Sequence, residues 1–354
     1  FKMDLITPYQ LPFFFIIGRP RSGTTLLRTL LDAHPMVVVP PEYPVIPDLV
    51  KRFGLHPHWT PALKGELLRL YREPLTFDFW KYEYLRIHEA GLQQAIENLP
   101  VNATMYDVIR MFCFYSRSVF PKEEVKLLGD KNPVYALHTP RLMKWFPEAR
   151  FLFILRDYRD NFVSMKKFDW EAPHVVLQTW RWKYIARMMY RLQEQAPNRI
   201  YILRYEDLVM SPGEEFPRIC RFLGIPHTDS VFQFHNYSQE SLSFIDPATL
   251  NHYHESLTKP IHTDTIGRWK HQMSEKEVAL AGYVSGRWGK RAGYFTDSNK
   301  EIDWRSAAAT LPMRLYGACL YHLMRIGEYL PWGLRKRLGR FLPYLSFLYH
   351  KIFK

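Results

Sequence analysis

The sequence has little cysteine. Only Cys113, Cys220 and Cys319 occur among 354 residues, and their odd number and wide spacing exclude both a disulfide-stapled small domain and a cysteine metal cluster. Long apolar runs are also missing, because none approaches the roughly 18 residues that a membrane-spanning helix needs. Internal repeats and low-complexity segments do not occur. The cysteine usage favours a reducing compartment, and we expect a cytoplasmic location.

Net positive charge is small over most of the chain and concentrated at its end. The net charge is +13, and residues 305–354 hold nine Lys or Arg against one acidic residue, a net of +8. A basic protein suggests a nucleic-acid partner. Here the charge lies in a segment rich in Leu, Phe and Tyr, away from the motifs described below. We therefore expect no nucleic-acid partner.

The lysine of a nucleotide-binding P-loop is missing as well. The segment FFFIIGRPRSGTT places Gly18 and Gly23 at the spacing of the pattern G-x-x-x-x-G-K-[ST], but Thr24 stands at the lysine position. A strand, a tight turn and a helix from Gly23 would aim backbone N–H groups at an anion. Without the lysine that reaches the γ-phosphate of a Mg-nucleotide, we expect a different anion, with Arg21 as the cation of the loop.

Short apolar runs that end in polar residues predict the strands of a parallel sheet. These runs are FFFII before Arg21, VKLL (125–128) before Lys131, FLFIL (151–155) before Arg156, and RIYIL (199–203) before Tyr205. Helical sequence between them, such as 174–196, predicts an α/β fold with a parallel central sheet flanked by helices. Ligands of such sheets bind beyond the carboxyl ends of the strands. We therefore expect the four polar side chains at one edge.

Two regions depart from this alternation. Residues 50–120 are helical and rich in aromatic residues, which fits either helices packing their own core or an acceptor-binding lid. Residues 301–354 read as a basic, amphipathic helical C-terminal extension. The predicted organisation is one domain over 1–300, with 50–120 as an acceptor-side insertion, followed by that extension.

A second anion site is predicted in the segment FLFILRDYRDNFVSMKKF. Arg156 leaves the strand, and Ser164 follows eight residues later, near the start of the next helix. The planar guanidinium of arginine donates two parallel hydrogen bonds, which suits a phosphate. A guanidinium and a hydroxyl on one strand–loop–helix turn thus predict an anion site separate from the P-loop.

Three ordered motifs, GRPRSGTTLL, GDKNP and LRDYRDNFVSM, resemble those of the sulfotransferase family that uses 3′-phosphoadenosine 5′-phosphosulfate (PAPS). The resemblance covers residues about 13 to 275, and in motif spacing it is closest to bacterial and tyrosylprotein sulfotransferases. It implies a P-loop-NTPase-like fold, PAPS as cosubstrate, adenosine 3′,5′-bisphosphate as product, no metal and a hydroxyl-bearing acceptor.

The resemblance also implies roles for individual residues. The loop that binds the 5′-phosphosulfate corresponds to Arg21, Ser22, Gly23, Thr24, Thr25 and Leu26. The pair that grips the 3′-phosphate corresponds to Arg156 and Ser164, with Tyr205 near the same nucleotide. The late loop that closes over the 3′-phosphate corresponds to Gly267, Arg268 and Trp269.

The catalytic residues are predicted from charge and resemblance together. Arg21 and Lys131 would neutralise charge on the bridging oxygen and the leaving phosphate. An acceptor hydroxyl needs a general base, and similarity to the tyrosylprotein sulfotransferases implies Glu42, although two prolines precede it where that subgroup has small and acidic residues. A histidine is the alternative base, and the contenders are His34, His138 and His174.

The end of the chain allows two interpretations. Apolar residues from Leu334 to Leu345 recur at helical spacing, with basic residues elsewhere on the helix. Such a segment would lie peripherally on the inner face of a membrane and meet anionic headgroups. Alternatively, it forms a helical hairpin that docks on the domain.

We therefore expect a sulfotransferase that transfers the sulfuryl group by in-line displacement, with a glutamate base. The expected acceptor is a lipid, sterol, glycan or other small molecule. A P-loop kinase or NTPase explains only the first motif, and a non-catalytic nucleotide-binding module explains only the charge. The sequence identifies neither the acceptor nor the oligomeric state.

Overall fold

The computed structural model describes residues 8–73, 82–168, 172–237, 258–294, 302–327, 329–330 and 334. The strands in these ranges are β1 (Phe13–Gly18), β2 (Val37–Val38), β3 (Leu127–Lys131), β4 (Arg150–Leu155) and β5 (Ile200–Arg204). The helices are α1 (Thr24–Ala33), α2 (Ile46–Phe53), α3 (Pro61–Arg72), α4 (Glu89–Glu97), α5 (Met105–Phe114), α6 (Thr139–Trp145), α7 (Tyr158–Met165), α8 (Val175–Gln195), α9 (Tyr205–Met210), α10 (Pro212–Leu223), α11 (Trp269–Gln272), α12 (Glu275–Ser285), α13 (Arg287–Arg291), α14 (Trp304–Ala309) and α15 (Leu311–Gly327). Within these ranges no helix is both long and apolar enough to cross a bilayer.

The five strands form one sheet in the order β2-β3-β1-β4-β5. β1 and β2 both pair in parallel with β3, and Ile16 of β1 lies opposite Lys131 of β3. β1 is buried at every position, as expected when a continuous apolar run forms a strand covered on both faces. The prediction of an α/β fold with a parallel central sheet flanked by helices is confirmed.

One strand boundary differs from the prediction. The apolar run suggested a strand over 125–128, but β3 runs from Leu127 to Lys131. The strand continues through polar residues because their backbones pair with β1, where Phe15 lies opposite Asp130. Gly129 fits this position, since a Cβ there would lie 2.4 Å from the Phe14 ring. Lys131 is therefore the last residue of a strand, not part of a turn.

The residues divide by their contacts into two compact units. The first unit comprises Phe1–Ile17, Thr24–Leu152 and Ser211–His262. Its core includes Phe15, whose ring stacks on Phe151 at 5.1 Å. The predicted helical region 50–120 lies here, where α2 to α5 and a short 3-10 helix form. The proposed domain limits at 300 and 301 stay a prediction.

The second unit comprises Gly18–Gly23, Phe153–Met210 and Thr263–Lys354. The long helix predicted over 174–196 is α8, but its buried face is partly different: Trp182, Ile185 and Met189 are buried instead of Trp180, Met188 and Leu192. A capping box of Ser274 and Glu277 begins α12. The helical extension is present in α14 and α15, whereas the predicted amphipathic residues beyond Leu334 lie outside the described residues.

Candidate active site

The glycine loop between β1 and α1 belongs to the second unit and has an unusual backbone. Arg21 and Gly23 have positive φ angles of 66° and 94°, which side chains disfavour and which occur mostly where function demands them. A Cβ at Gly23 would lie 2.3 Å from the Tyr205 ring. Glycine is thus required at this position both for its backbone angle and for its lack of a side chain.

Buried side chains fix the position of the glycine loop through hydrogen bonds. Arg19 is 3% exposed, and its Nε donates to Asn161 Oδ1 at 2.8 Å, while its Nη2 donates to Gln178. Asn161 Nδ2 returns a hydrogen bond to the Pro20 carbonyl at 2.8 Å and lies 3.4 Å from Ser22 Oγ. Arg19 is therefore an anchor of the loop. Asn161 and Gln178 support the site but lack a sequence signal, because they lie far along the chain.

The structure brings Arg21 and Ser164 together. Arg21 Nε donates to Ser164 Oγ at 3.1 Å, and its guanidinium carbon lies 5.0 Å from the Phe168 ring centroid. Ser164 lies in the last turn of α7 and not near its start, because Asp157 caps that helix by accepting from the Arg159 N–H. The site predicted around Ser164 is consequently continuous with the glycine loop and not separate from it.

Arg156 completes this cluster. Its Nη1 donates to the Arg21 carbonyl at 3.1 Å, and its Nη2 donates to the Thr265 carbonyl at 2.6 Å. The Tyr205 ring lies 4.8 Å from the guanidinium, and the Tyr205 hydroxyl lies 2.6 Å from Thr265 Oγ1. Arg156 Nε is buried and has no hydrogen-bond partner within the described part of the chain. Four predicted donor-binding residues, Arg21, Ser164, Arg156 and Tyr205, therefore form one cluster.

The late loop is fastened by a carboxylate that the sequence analysis did not select. Asp160 accepts from the Gly267 N–H at 2.7 Å and from the Trp269 N–H at 2.9 Å. Burial raises the pKa of Asp160, although these two hydrogen bonds oppose the rise. The Trp269 ring stacks 3.8 Å from the Arg159 guanidinium. Arg268, predicted to contact the 3′-phosphate, donates from Nε to the Asp264 carbonyl at 2.8 Å.

The remaining predicted loop residues begin α1 in the first unit. Thr24, Thr25 and Leu26 form the first turn of that helix, and Thr24 is buried. The first backbone N–H groups of a helix have no partner within the helix and carry partial positive charge. This turn can therefore contribute N–H donors to an anion.

The two predicted catalytic residues of the first unit form an ion pair. Lys131 Nζ lies 2.8 Å from Glu42 Oε2, and the side chains are 5% and 25% exposed. Because Lys131 is mostly removed from water, its contact with Glu42 is stronger than a surface ion pair. The structure thus places the proposed base and the proposed cation in direct contact.

A second carboxyl group lies beside this pair. Asp130 accepts from Asn132 Nδ2 at 2.7 and 2.9 Å. Burial, and to a smaller extent the charge of Glu42, raise the pKa of Asp130 to about 7, while Asn132 and Lys131 oppose the rise. The motif GDKNP contained Asp130, but no feature of the sequence indicated that its carboxyl group would be buried.

Helix α1 and a neighbouring ring fix the chain on both sides of Glu42. Arg28 Nε donates to the Val39 carbonyl at 2.8 Å, and Asp32 Oδ1 accepts from the Val39 N–H at 3.0 Å. After Glu42, the Tyr43 hydroxyl donates to the Tyr71 carbonyl. Glu42 is therefore held on a constrained segment, which suits a residue whose carboxylate must be oriented.

The histidine alternatives differ from Glu42 in their surroundings. His34 Nε2 donates to the Pro226 carbonyl at 2.9 Å, and its Nδ1 accepts from the Met36 N–H at 3.1 Å. Burial lowers the pKa of His34 and of His174. Both ring nitrogens of His34 are thus engaged in holding the backbone. His138 ends a 3-10 helix and stacks edge-on against Tyr135.

The fold and this loop define an α/β protein with a P-loop-like anion site. A sequence model described as the sulfotransferase family matches residues 12–229, more than half of the chain. The chain belongs to the sulfotransferase family, a family of transferases, which confirms the assignment made from the three motifs.

Named relatives and solved structures agree with this membership. The chain is 27% identical over 274 residues to a protein-tyrosine sulfotransferase of Drosophila melanogaster, covering 75% of this chain and 48% of that protein. It is 28% identical over 302 residues to protein-tyrosine sulfotransferase 1 of Danio rerio, covering 81% and 75%. The chain thus spans about half the length of the first of these relatives. The sulfotransferase domain of a Synechococcus olefin synthase has the same fold, with 24% identity, coverage of 84% and 98%, and a TM-score of 0.56.

Proposed function

We propose that this protein transfers the sulfuryl group of PAPS to a hydroxyl group, with Glu42 as general base. The observation that carries the proposal is a glycine loop without the P-loop lysine, in which the Arg156 guanidinium donates to the Arg21 backbone carbonyl while the Arg21 guanidinium donates to Ser164. A loop of this kind retains the N–H donors for an anion. In place of the single lysine of a nucleoside triphosphatase, the site has the planar guanidinium groups of Arg21 and Arg156.

The second unit suits a donor with two anionic ends. Arg156 has a buried Nε that lacks a partner among the described residues, and a buried donor left without a partner is costly. An incoming phosphate oxygen would satisfy it. Ser164 and Arg268 add a hydroxyl and a further cation, and Tyr205 and Trp269 add aromatic surface. These side chains support PAPS as the donor and adenosine 3′,5′-bisphosphate as the product.

The proposed reaction is an in-line displacement at sulfur. The acceptor oxygen attacks the sulfur atom as its proton passes to the Glu42 carboxylate. The bond from sulfur to the bridging phosphate oxygen breaks, and its electron pair leaves with the nucleotide. Arg21 and Lys131 would stabilise the charge that grows on this oxygen. The 2.8 Å contact with Lys131 supports an oriented Glu42 carboxyl group.

We propose the phenolic hydroxyl of a protein tyrosine as the acceptor. Both named relatives above are protein-tyrosine sulfotransferases, and this supports a narrower acceptor than the lipid, sterol, glycan or small-molecule set expected from the sequence. A reaction without metal and a cytoplasmic location stay predictions. The first is tested by measuring sulfate transfer after dialysis against a chelator.

A thermal-shift experiment tests the donor. Adenosine 3′,5′-bisphosphate should raise the melting temperature of the full chain, whereas Mg-ATP should not, because ligands that bind only the folded state stabilise it. Adenosine 5′-monophosphate is the matched control, since it lacks the 3′-phosphate. Stabilisation by Mg-ATP alone would instead support the kinase or NTPase reading.

A transfer experiment tests the acceptor. The full chain is incubated with PAPS labelled in its sulfate and with peptides that contain a single Tyr, or Phe at the same position. Label in the Tyr peptide only is the expected result. Parallel incubations with lipid, sterol and glycan pools distinguish the alternatives, and label confined to one of those pools would overturn the tyrosine proposal while leaving sulfotransfer intact.

A further inference from the structure

Helix α15 is an outer helix of the second unit, and one of its faces packs on α8. A Cβ at Gly317 would lie 2.8 Å from Trp180 and 3.0 Å from Leu177. The Tyr321 ring is buried and contacts the rings of Trp180 at 5.4 Å and Tyr184 at 5.2 Å. Gly317 and Tyr321, four residues apart, therefore mark the inward face of the helix.

The opposite face of α15 is apolar and exposed. Leu311, Leu315, Leu323 and Ile326 are 50%, 60%, 59% and 59% exposed. Cys319 and His322 lie between them on the same side at helical spacing, so this face has no charged residue. A surface helix normally presents polar residues to water, and contiguous exposed apolar surface indicates an interaction site. We call the six residues from Leu311 to Ile326 the apolar face.

A cluster of like charges lies next to α15 in the same unit. Burial lowers the pKa of Lys183, and the positive charges of Arg314, Arg187 and Arg287 lower it further. None of these four cations forms an ion pair with an acidic residue in the described ranges. Arg314 and Arg325 lie on α15 along one border of the apolar face. We call Lys183, Arg187, Arg287 and Arg314 the cationic cluster.

The segment that contains α14 and α15 is also basic. Residues 304–327 contain three arginines and no acidic residue. Trp304, the first residue of α14, and Tyr329, two residues after α15, are each 75% exposed. Tryptophan and tyrosine are the residues that membrane interfaces favour, because their rings have both apolar and polar parts.

We propose that the apolar face of α15 and the cationic cluster dock on a membrane surface that contains anionic lipids. The helix lies parallel to the membrane, with Leu315 and Ile326 in the acyl boundary and the cations at the headgroups. This surface lies upstream of the segment 334–345 for which the sequence analysis expected membrane contact, and it does not depend on sulfotransfer.

Charge decides between a membrane and other partners. A second copy of this chain, docked through the same apolar face, would offer no carboxylate of that face to the cationic cluster. A nucleic acid would meet the cations but would leave the apolar face in water. An anionic lipid surface complements both features at once.

Vesicle flotation of the full chain tests the proposal. Wild type should float with phosphatidylcholine vesicles that contain phosphatidylserine and not with phosphatidylcholine alone, and high salt should weaken binding. Leu315→Glu/Leu323→Glu should reduce binding at least about tenfold. Arg187→Glu/Arg287→Glu should reduce it about 25-fold or more, since each cation near the surface contributes about fivefold.

A matched control places the same new charges elsewhere. Val101 and Met210 are also exposed apolar residues, so Val101→Glu/Met210→Glu should float like wild type. Equal flotation of the Leu315→Glu/Leu323→Glu variant and wild type would overturn the proposal. So would sedimentation showing a wild-type dimer that this variant converts to monomer, because the face would then bind a second copy. Stabilisation by adenosine 3′,5′-bisphosphate should be unchanged in all variants, which confirms that they fold.

Discussion

The two units use positive charge in opposite ways. In the first, Lys131 lies 2.8 Å from the Glu42 carboxylate, so its charge is compensated within the protein. In the second, Arg156 donates from Nη1 and Nη2 to two backbone carbonyls, which leave its charge uncompensated and its buried Nε without a partner among the described residues. A cation paired with a carboxylate orients that carboxylate, whereas a cation held by neutral oxygens remains available to an anionic ligand.

The same contrast occurs within a few residues of the second unit. Arg159 follows Arg156 by three positions, but its Nη2 lies 2.6 Å from Asp157 Oδ2 and its guanidinium stacks on Trp269. Arg156 is therefore the arginine that we propose for the anionic donor, while Arg159 stabilises the structure. The partner of an arginine, and not its position in a charged motif, decides which of these it does.

Glu42→Gln should have the largest effect, because it removes the proposed base and leaves the donor-binding residues intact. Turnover should fall about 10²- to 10⁴-fold, the usual contribution of general acid–base catalysis. Affinity for adenosine 3′,5′-bisphosphate should change less than about twofold, since Glu42 is not among the donor-binding residues. Labelled sulfate transfer and calorimetry measure the two quantities.

Glu66→Gln is the matched control for this experiment. Glu66 also pairs with a cation, Arg52, at 2.6 Å, and its side chain is 26% exposed, compared with 25% for Glu42. Turnover of Glu66→Gln should be near that of wild type. Near-normal turnover of Glu42→Gln would move the base to another residue.

Arg156→Met is the complementary change in the second unit, because it should weaken donor binding. It keeps an unbranched apolar stem but removes the guanidinium that we assign to the donor. Affinity for adenosine 3′,5′-bisphosphate should fall about 10- to 100-fold, as expected for the loss of one or two charged hydrogen bonds. Arg291→Met is the control, because Arg291 forms an exposed ion pair with Glu194 in the same unit. Equal affinity of the Arg156→Met variant and wild type would remove Arg156 from the site.

The sequence predicted those strands and site residues that have a signal in the sequence around them. β1 and β4 were predicted to within one residue at each end because buried parallel strands read as continuous apolar runs. β3 was displaced because Asp130 and Lys131 pair through their backbones, which leaves no trace in hydropathy. Arg21, Arg156 and Ser164 were selected because the motifs, and the missing lysine of the glycine loop, indicated an anion, and the structure brings them together.

The site residues that the sequence analysis did not select form hydrogen bonds with residues far away in the sequence. Asp160 resembles a solvated residue at a helix start, but it binds N–H groups more than a hundred residues away. Asn161 and Gln178 likewise hold Arg19 from another segment. Burial of a carboxyl or an amide depends on which distant segment covers it. A sequence read without its fold does not contain that information.

Asp130→Asn tests the first unit through the pH dependence of its stability. The pKa of Asp130 is raised from 3.8 to about 7, so folding favours its protonated form. Its contribution to stability is full below pH 4 and is lost as the pH rises through about 7. One pKa unit corresponds to about 1.4 kcal/mol, so wild type should lose roughly 3–4 kcal/mol of stability over this interval relative to Asp130→Asn.

Urea unfolding at several pH values measures this difference. Asp207→Asn is the control, because Asp207 lies at a partly exposed ion pair with Arg204 and should leave the pH dependence as in wild type. Parallel stability curves for wild type and Asp130→Asn would show that Asp130 is ionised throughout, with its charge compensated by Lys131.

Asp160→Asn should give the smallest effect, because the late loop has other contacts. Asparagine keeps one carbonyl acceptor, so one of the hydrogen bonds from Gly267 and Trp269 is lost. A net hydrogen bond contributes about 0.5–1.5 kcal/mol, and adenosine 3′,5′-bisphosphate should dissociate about two- to tenfold faster in stopped-flow measurements. Asp229→Asn is the control, since the Asp229 carboxylate is exposed and contacts His227, outside the late loop. Unchanged dissociation in Asp160→Asn would mean that Arg156 and Tyr205, through Thr265, are sufficient to hold the loop.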